Sequence, residues 1–165
     1  MRHRMELFAG LAAVACLAGT SLSAGSRDAA LQAHDAYIRA INANDTDAVL
    51  AAVTDDIVLI APNAPALAGK RAVAPWVAGY FGAVTTRWHK RPVELVVSGD
   101  WAMERYVYSA IDRPRDGGRA RMDRGNGINI YRLEDDGVWR VACDVWASER
   151  GAGGGMTCAA PMGPC

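Results

Sequence analysis

Apolar residues recur with helical spacing near the start of the chain. Across residues 28–42 they fall on one face, which predicts an amphipathic helix with one buried side. These positions are Leu31, Ala33, Tyr37, Ile38 and Ile41. A second, shorter helix is predicted to follow an N-cap at Asp45 and to end at residues 54–56. Its inward positions are expected to be Val49, Leu50 and Val53.

A short apolar run rich in β-branched residues comes next, at residues 57–61. Pro62 and Asn63 close this run, so it is predicted to be a strand. After Gly69 the apolar spacing becomes helical again, which predicts a third helix. Its apolar face is formed by Val73, Trp76, Val77, Tyr80 and Phe81.

Beyond Gly82 the helical repeat gives way to alternation, which is typical of strands. Four such segments are separated by short turns rich in Gly and Asp, so neighbouring strands are expected to be antiparallel. The segments are residues 85–97, 101–112, 121–134 and 138–148. Three helices with apolar faces are buried most simply on one side of this sheet. The pattern therefore predicts an α+β fold, an open cone with the order α-α-β-α-β-β-β-β.

The first two dozen residues have the pattern of an export leader. Arg2 and Arg4 precede an apolar run over residues 7–22, and the small Ala24 offers a cleavage point. The mature protein would then begin near Gly25 and be periplasmic or secreted. An alternative is lipidation, because the segment that ends at Cys16 is similar to a bacterial lipoprotein signal. The protein would then be anchored to a membrane through Cys16.

Composition narrows the classes of function. The 165 residues carry equal numbers of basic and acidic side chains, and 51% of them are hydrophobic. We therefore expect one domain over residues 25–150, followed by a flexible Gly-rich tail at 151–165. With no net charge we expect no nucleic-acid partner. His34 and His89 lack ligand spacing, so no metal site is expected. No cofactor is expected either. The tail cysteines, Cys158 and Cys165, leave a disulfide open.

Two stretches of the chain resemble a known superfamily. Residues 36–45, read as AYIRAINAND, resemble the opening of nuclear transport factor 2-like proteins, which include the ketosteroid isomerase and SnoaL-like groups. Residues 136–141, read as DGVWRV, resemble their last hairpin. The resemblance covers nearly all of residues 28–148 and implies a cone around one small-molecule pocket. It specifies chemistry poorly, because this superfamily contains isomerases, cyclases, dehydratases, hydrolases and proteins that only bind.

The resemblance assigns roles residue by residue. Tyr37 falls where ketosteroid isomerases place a tyrosine that donates to the developing oxyanion. Asn129 falls where they place a second donor, and an amide can also donate. Their general base would lie near Ala61, which cannot accept a proton. Steroid isomerisation by the family mechanism is therefore not expected. The alternative for Tyr37 is a helix-core tyrosine whose hydroxyl is satisfied by the backbone.

A different carboxyl group is the candidate acid or base. The resemblance puts Asp144 inside the cone, and alternation groups it with Ala142 and Trp146. A salt bridge or cap is the alternative role for Asp144. Glu104 is a second candidate acid. The alternative is that Glu104 lies at the surface or forms an ion pair. The remaining residues expected in the pocket are Trp76, Tyr80, Tyr106, Tyr131 and Trp146.

The opposite face of the strands is also apolar. Alternation assigns to it Trp139, Val141, Val145, Ile128 and Ile130. Covering such a face predicts a homodimer. Three hypotheses of function remain: a protein that binds a small apolar molecule, an enzyme that uses Tyr37, Asn129 and Asp144, and an interaction scaffold with a collapsed pocket.

Overall fold

A computed structural model of the chain describes residues 18–150, with side chains from Gly25 onward. The helices are α1 (Ala18–Ala43), α2 (Thr46–Ala51) and α3 (Lys70–Ala83). The strands are β1 (Val53–Ile60), β2 (Leu67–Ala68), β3 (Val84–Ser98), β4 (Trp101–Pro114), β5 (Arg121–Leu133) and β6 (Trp139–Ser148). The predicted order of elements is confirmed, with the two-residue β2 as an addition. Most of the predicted leader, Cys16 and the tail at 151–165 lie outside the described residues.

All six strands form one curved sheet in the order β2-β1-β6-β5-β4-β3. Strands β3 to β6 are consecutive antiparallel neighbours, as predicted from the turns between them. The sheet is nevertheless mixed rather than wholly antiparallel, because β1 runs parallel to β6. The short β2 pairs with β1 and is the edge strand on that side of the sheet. The tight turn between β5 and β6 relies on Gly137, whose φ of 77° is unfavourable for other residues.

Helix α2 begins where predicted and ends earlier. The side chain of Asp45 accepts a hydrogen bond from the backbone N of Ala48 at 3.0 Å, which makes it the N-cap. The prediction that Val53 belongs to this helix is wrong. Val53 opens β1, where its side chain is 1% exposed. β-branched residues favour extended backbone, so the strand begins at the β-branched Val53 and Thr54 rather than at Ile57.

The core lies between the three helices and one face of the sheet. Each helix contributes buried apolar side chains to it, and so do β1 and β6. Those from the helices are Ala30, Tyr37, Ala40, Val49, Val73, Val77 and Phe81. This packing of α1, α2 and α3 on the same face leaves the other face of the sheet without a covering layer among the described residues.

Alternation along β6 is interrupted by a β-bulge. The register with β5 shifts between Val141 and Cys143, so Ala142 is an extra residue. Trp139 and Val141 therefore point into the core, where they are 6% and 0% exposed. Their predicted place on the outer face is wrong, because strict alternation does not allow for the extra residue. Asp144 lies beyond the bulge and also points inward.

Candidate functional site

One lateral row of the sheet carries the interior carboxyl groups. Glu104, Asn129 and Asp144 are register partners on β4, β5 and β6. All three are buried, with exposures of 0%, 0% and 3%. Side chains opposite one another on the same face of neighbouring strands are in contact range. The fold therefore brings two acids and an amide into one inner layer.

Asp144 accepts hydrogen bonds from three side chains. Its Oδ2 lies 3.0 Å from the hydroxyl of Tyr37 and 3.0 Å from Nζ of Lys90. Its Oδ1 accepts from the hydroxyl of Tyr106 at 2.7 Å. A buried carboxylate is costly unless it is paired and hydrogen-bonded. These three donors, one of them charged, meet that condition.

The hydroxyls of Tyr37 and Tyr106 are protonated at neutral pH and act as hydrogen-bond donors to Asp144. Burial raises the pKa of Tyr37 and of Tyr106 well above 10, and the negative charge of Asp144 raises both further. Each hydroxyl therefore keeps its proton and directs it to the carboxylate. Tyr37 can donate to a ligand only by turning away from Asp144.

Glu104 has its own set of partners in the same layer. Nδ1 of His34 lies 2.9 Å from its Oε1 and 3.1 Å from its Oε2, and only the contact to Oε2 is aligned as a hydrogen bond. The hydroxyl of Tyr131 donates to Oε2 as well. Burial alone would raise the pKa of Glu104, but the bonds from His34 and Tyr131 outweigh burial, and the pKa lies below its usual value. The side-chain amide of Asn129 donates to the Tyr131 hydroxyl at 3.0 Å.

A narrow cavity of about 50 Å³ lies between the helices and the sheet. Aromatic rings form much of its wall, and aliphatic side chains from all three helices and from β1 form the rest. The rings belong to Tyr37, Trp76, Tyr80, Phe81, Trp88 and Trp146. Its charged lining groups are Lys90 and Asp144. The cavity thus combines an apolar wall with one ion pair.

The size of this cavity limits what can enter without a rearrangement. Pockets for small molecules usually measure about 300 to 1,000 Å³, whereas the present cavity has room for only a few water molecules. Trp146 is only half-buried, and its ring lies edge-on between Trp76 and Trp88, with centroids 6.3 and 6.0 Å away. Rotation of Trp146 would enlarge the cavity.

A larger open groove of about 770 Å³ lies elsewhere, between α1, α2 and the turn before β6. Alanines dominate its lining, and Arg39 is its only charged side chain. No group of polar side chains converges there, so the smaller cavity is the better candidate site. Within residues 18–150, no cluster of three or more His, Cys, Asp or Glu side chains could hold a metal ion. In the same part of the chain, none of the helices has the length and apolar character needed to cross a membrane.

Comparison with known proteins assigns the chain to a family. Residues 34–141 match the sequence profile of the SnoaL-like domain. The chain belongs to the SnoaL-like family. No curated protein sequence matches it. The match to the SnoaL-like domain confirms the predicted membership of the nuclear transport factor 2-like superfamily.

Solved structures agree with this assignment. A ketosteroid isomerase-like protein from Erwinia carotovora atroseptica is 27% identical, with a TM-score of 0.71 over 76% of this chain and 98% of that one. A candidate dehydratase of the nuclear transport factor 2-like family from Streptomyces avermitilis is 16% identical, with a TM-score of 0.67 over 76% and 97%. A nuclear transport factor 2-like protein from Salmonella enterica serovar Typhimurium is 14% identical, with a TM-score of 0.65 over 84% and 98%. The last two likenesses concern the fold alone.

The structure of this SnoaL-like chain separates the predicted site residues into two groups. Those that line the cavity are Tyr37, Trp76, Tyr80, Asp144 and Trp146. Those that are not part of the lining are Glu104, Tyr106, Asn129 and Tyr131. Asn129 is held by Tyr131 rather than presented beside Tyr37, so the two predicted oxyanion donors do not converge on one point of the cavity.

Sequence reasoning missed Lys90 as a site residue. Lys90 follows Thr86 and Trp88 on the inner face of β3 and is 6% exposed. It was inconspicuous because Arg87, His89 and Arg91 surround it in the sequence, and such a run is typical of a solvated strand. Alternation along β3 is the signal that separates it from these outward neighbours.

Proposed function

We propose that this SnoaL-like protein is an exported protein that binds a small, largely apolar molecule in the cavity. The observation that carries the proposal is the ion pair between Lys90 and Asp144 in the wall of an otherwise aromatic and aliphatic cavity. Ligand sites typically combine an apolar lining with a small number of convergent polar groups. The membership of a family with small-molecule binders and enzymes supports the same conclusion.

The hydrogen bonds of Asp144 favour binding over catalysis. A carboxylate has about four lone-pair sites. Tyr37, Lys90 and Tyr106 occupy three of them. A general base needs a free lone pair directed at the proton that it removes, and little capacity is left for this. The position near Ala61, where ketosteroid isomerases place their base, offers no substitute.

An isomerase, cyclase or dehydratase activity is the second candidate. It is favoured by the direct contact between Tyr37 and Asp144 in the cavity wall, since a phenol and a carboxylate can polarise a carbonyl and move a proton. In this alternative Tyr37 turns to the substrate oxygen while Asp144 acts as acid or base. Asn129 would contribute as the second donor only after releasing Tyr131.

A fragment screen against the purified protein tests the binding proposal. Thermal-shift and ligand-observed NMR measurements would identify small apolar binders, and Trp146→Ala would then weaken them about tenfold or more by removing a wall of the cavity. Trp101→Ala is the matched control, because Trp101 is 47% exposed and lies on the other face of the sheet. Absence of any binder, or equal losses in the two variants, would count against the proposal.

The same binders separate the two candidate functions. Each would be incubated with the wild-type protein and its conversion followed by NMR. If Tyr37→Phe and Asp144→Asn abolish a turnover found in this way, the enzyme hypothesis holds. If no turnover occurs and the two variants change affinity alone, the protein is a binding protein.

Self-association through the outer face of the sheet is a further part of the proposal. Val96, Val107 and Ile128 point to this face and are 49%, 36% and 38% exposed. Ile128 is the register partner of Val145, and Val107 lies diagonally next to Ile128. The ion pair between Arg105 and Glu94 separates Val107 from Val96. Trp139 and Val141 do not belong to this face. A second copy with the same face would cover it symmetrically.

A further inference from the structure

The chain uses its two types of basic side chain very differently. It contains sixteen arginines and only two lysines, Lys70 and Lys90. Lys70 lies near the surface, with a side chain 31% exposed, and pairs with Asp55 at 2.8 Å. The side chain of Lys90 is 1% exposed and lines the cavity. The interior cation is thus a compact ammonium with three N–H donors, in a protein that otherwise prefers arginine.

The ammonium of Lys90 has more N–H donors than it has oxygen acceptors among the described residues. Its hydrogen bond to Oδ2 of Asp144 is the only one that Nζ makes to an oxygen within residues 18–150. Aromatic rings surround the rest of the group: the centroids of Tyr106, Tyr37 and Trp88 are 4.1, 5.1 and 5.7 Å from Nζ. Rings stabilise the charge but do not replace an oxygen acceptor.

The other hydrogen-bond donors of the site are neutral, and those of Tyr37 and Asn129 are already engaged. The single proton of Tyr37 is directed to Asp144. The amide of Asn129 is directed to Tyr131 and Glu104. A ligand oxygen that enters the cavity therefore finds Lys90 as the charged donor that can bind it without breaking an existing bond. The indole N–H groups of Trp76 and Trp146 in the same lining are neutral and thus weaker donors.

Charge balance limits the class of ligand. Lys90 and Asp144 cancel one another, and the phenols of Tyr37 and Tyr106 are neutral, so the lining carries no net charge. An anionic or cationic ligand would leave an uncompensated charge among aromatic and aliphatic walls, which is costly. A neutral oxygen acceptor on a small apolar body avoids this cost and still receives a charge-assisted hydrogen bond.

We propose that Lys90 is the ligand-binding donor of this site and that the ligand is a neutral carbonyl compound with a small apolar body. This inference rests on the proposed function, since it names the residue and the ligand class of the same cavity. It assigns to Lys90 the role for which sequence reasoning favoured Tyr37 and Asn129.

Four probes with the same five-membered ring test the ligand class. Cyclopentane has no polar group, cyclopentanone has a neutral carbonyl, cyclopentylamine is a cation and cyclopentanecarboxylate is an anion at neutral pH. Ligand-observed NMR with the wild-type protein would give their relative affinities. We expect cyclopentanone to bind about tenfold or more tightly than cyclopentane, because the added bond is made to a charged donor, and both charged probes to bind more weakly than cyclopentanone.

A direct readout of Lys90 needs no substitution. Labelling with ¹⁵N-lysine gives two ammonium signals, one for Lys90 and one for Lys70. Cyclopentanone is expected to shift the Lys90 signal and to leave the Lys70 signal in place. Cyclopentane, which offers no acceptor, should produce a clearly smaller shift of Lys90.

Substitutions then isolate the donor. Lys90→Met alone would leave Asp144 buried without its charged partner, so the double variant Lys90→Met/Asp144→Asn keeps the site neutral. This variant is expected to bind cyclopentanone and cyclopentane equally, whereas Lys70→Met retains the preference for the ketone. Thermal unfolding of each variant establishes that it is folded.

The outcomes distinguish the inference from the function on which it rests. If the wild-type protein binds none of the probes and no member of the fragment screen, both fail. If probes bind without preference for the ketone, or if a charged probe binds best, the inference fails while a binding function survives. A Lys90 signal that is insensitive to cyclopentanone, or a double variant that keeps the preference, also overturns it.

Discussion

The hydroxyl of Tyr106 reaches Oδ1 of Asp144 across an intervening strand, at a distance of 2.7 Å. It passes over β5 at Gly127, the register partner of Tyr106. A Cβ at this glycine would come within 2.5 Å of Cζ of the Tyr106 ring and of the backbone oxygen of Val145. The absence of a side chain on β5 is therefore what allows a tyrosine of β4 to hold a carboxylate of β6.

Gly127→Ala is expected to destabilise the protein by about 2 kcal/mol or more. The added methyl group overlaps both the ring of Tyr106 and backbone atoms, and such overpacking of a core costs about 1 to 3 kcal/mol. The loss of the bond to Asp144 adds to this. Chemical denaturation followed by circular dichroism measures the free energy of unfolding.

Gly79→Ala is the control for this prediction. Gly79 is exposed on α3, and nothing lies within 4 Å of the position that its Cβ would occupy. Alanine in a helix is favoured over glycine, so a gain of about 0.5 to 1 kcal/mol is expected. Equal effects of the two substitutions would show that Gly127 is not required for close approach.

The elements of the fold were predictable because each has a clear period. Helical spacing gave α1 and α3, and the Gly and Asp turns gave the four long strands. The bulge at Ala142 was not predictable from alternation, since nothing in a run of small and apolar residues marks which one is the extra residue. One inserted residue was enough to reverse the predicted faces of Trp139 and Val141.

The site was predicted in part. Asp144 and Tyr37 follow from the family pattern, and the structure places them in contact. Lys90 was missed because it belongs to no motif that the resemblance carries, and its burial depends on the pairing of β3 with β4. Whether Asn129 reaches the cavity depends on which neighbouring side chain its amide is hydrogen-bonded to. The spacing of apolar residues in a sequence does not predict such a pairing.

Acid destabilisation is predicted to depend on Glu104. Its pKa in the folded protein lies below the usual value of 4.5, because its bonds with His34 and Tyr131 outweigh burial. The unfolded chain then binds more protons than the folded one as the pH falls through 4.5, so the free energy of unfolding decreases there. The contribution is complete above this range and is lost as the pH falls through the folded pKa.

Glu104→Gln tests this assignment. The variant should unfold about 3 kcal/mol more easily at pH 7, because its partners remain buried without the carboxylate. It should also lose stability less steeply than the wild type as the pH falls from about 5.5 to 3.5. Denaturant titrations at a series of pH values measure both effects. Glu94→Gln, at an exposed glutamate, should keep the wild-type slope.

Export is predicted to remove the first 24 residues. Native mass spectrometry of the protein exported with its own leader would then give a chain that begins at Gly25. A mass increase corresponding to lipid on a chain that begins at Cys16 would instead establish anchoring, and Cys16→Ser would abolish that product. Retention of the intact leader on a cytoplasmic protein is the result that contradicts export altogether.

The outer face of the sheet predicts a dimer that a single charge can disrupt. Ile128→Lys would place an ammonium beside Val107 and Val145 on this face, next to the cation of Arg105, and each copy in a symmetric dimer would carry the added charge. Light scattering coupled to size exclusion should therefore show a dimer for the wild type and a monomer for this variant. Val138→Lys is the matched control, because Val138 is 47% exposed but lies in the turn before β6, away from this face. A wild-type protein that is monomeric at micromolar concentration, or a dimer that Val138→Lys dissociates while Ile128→Lys does not, would rule out this interface.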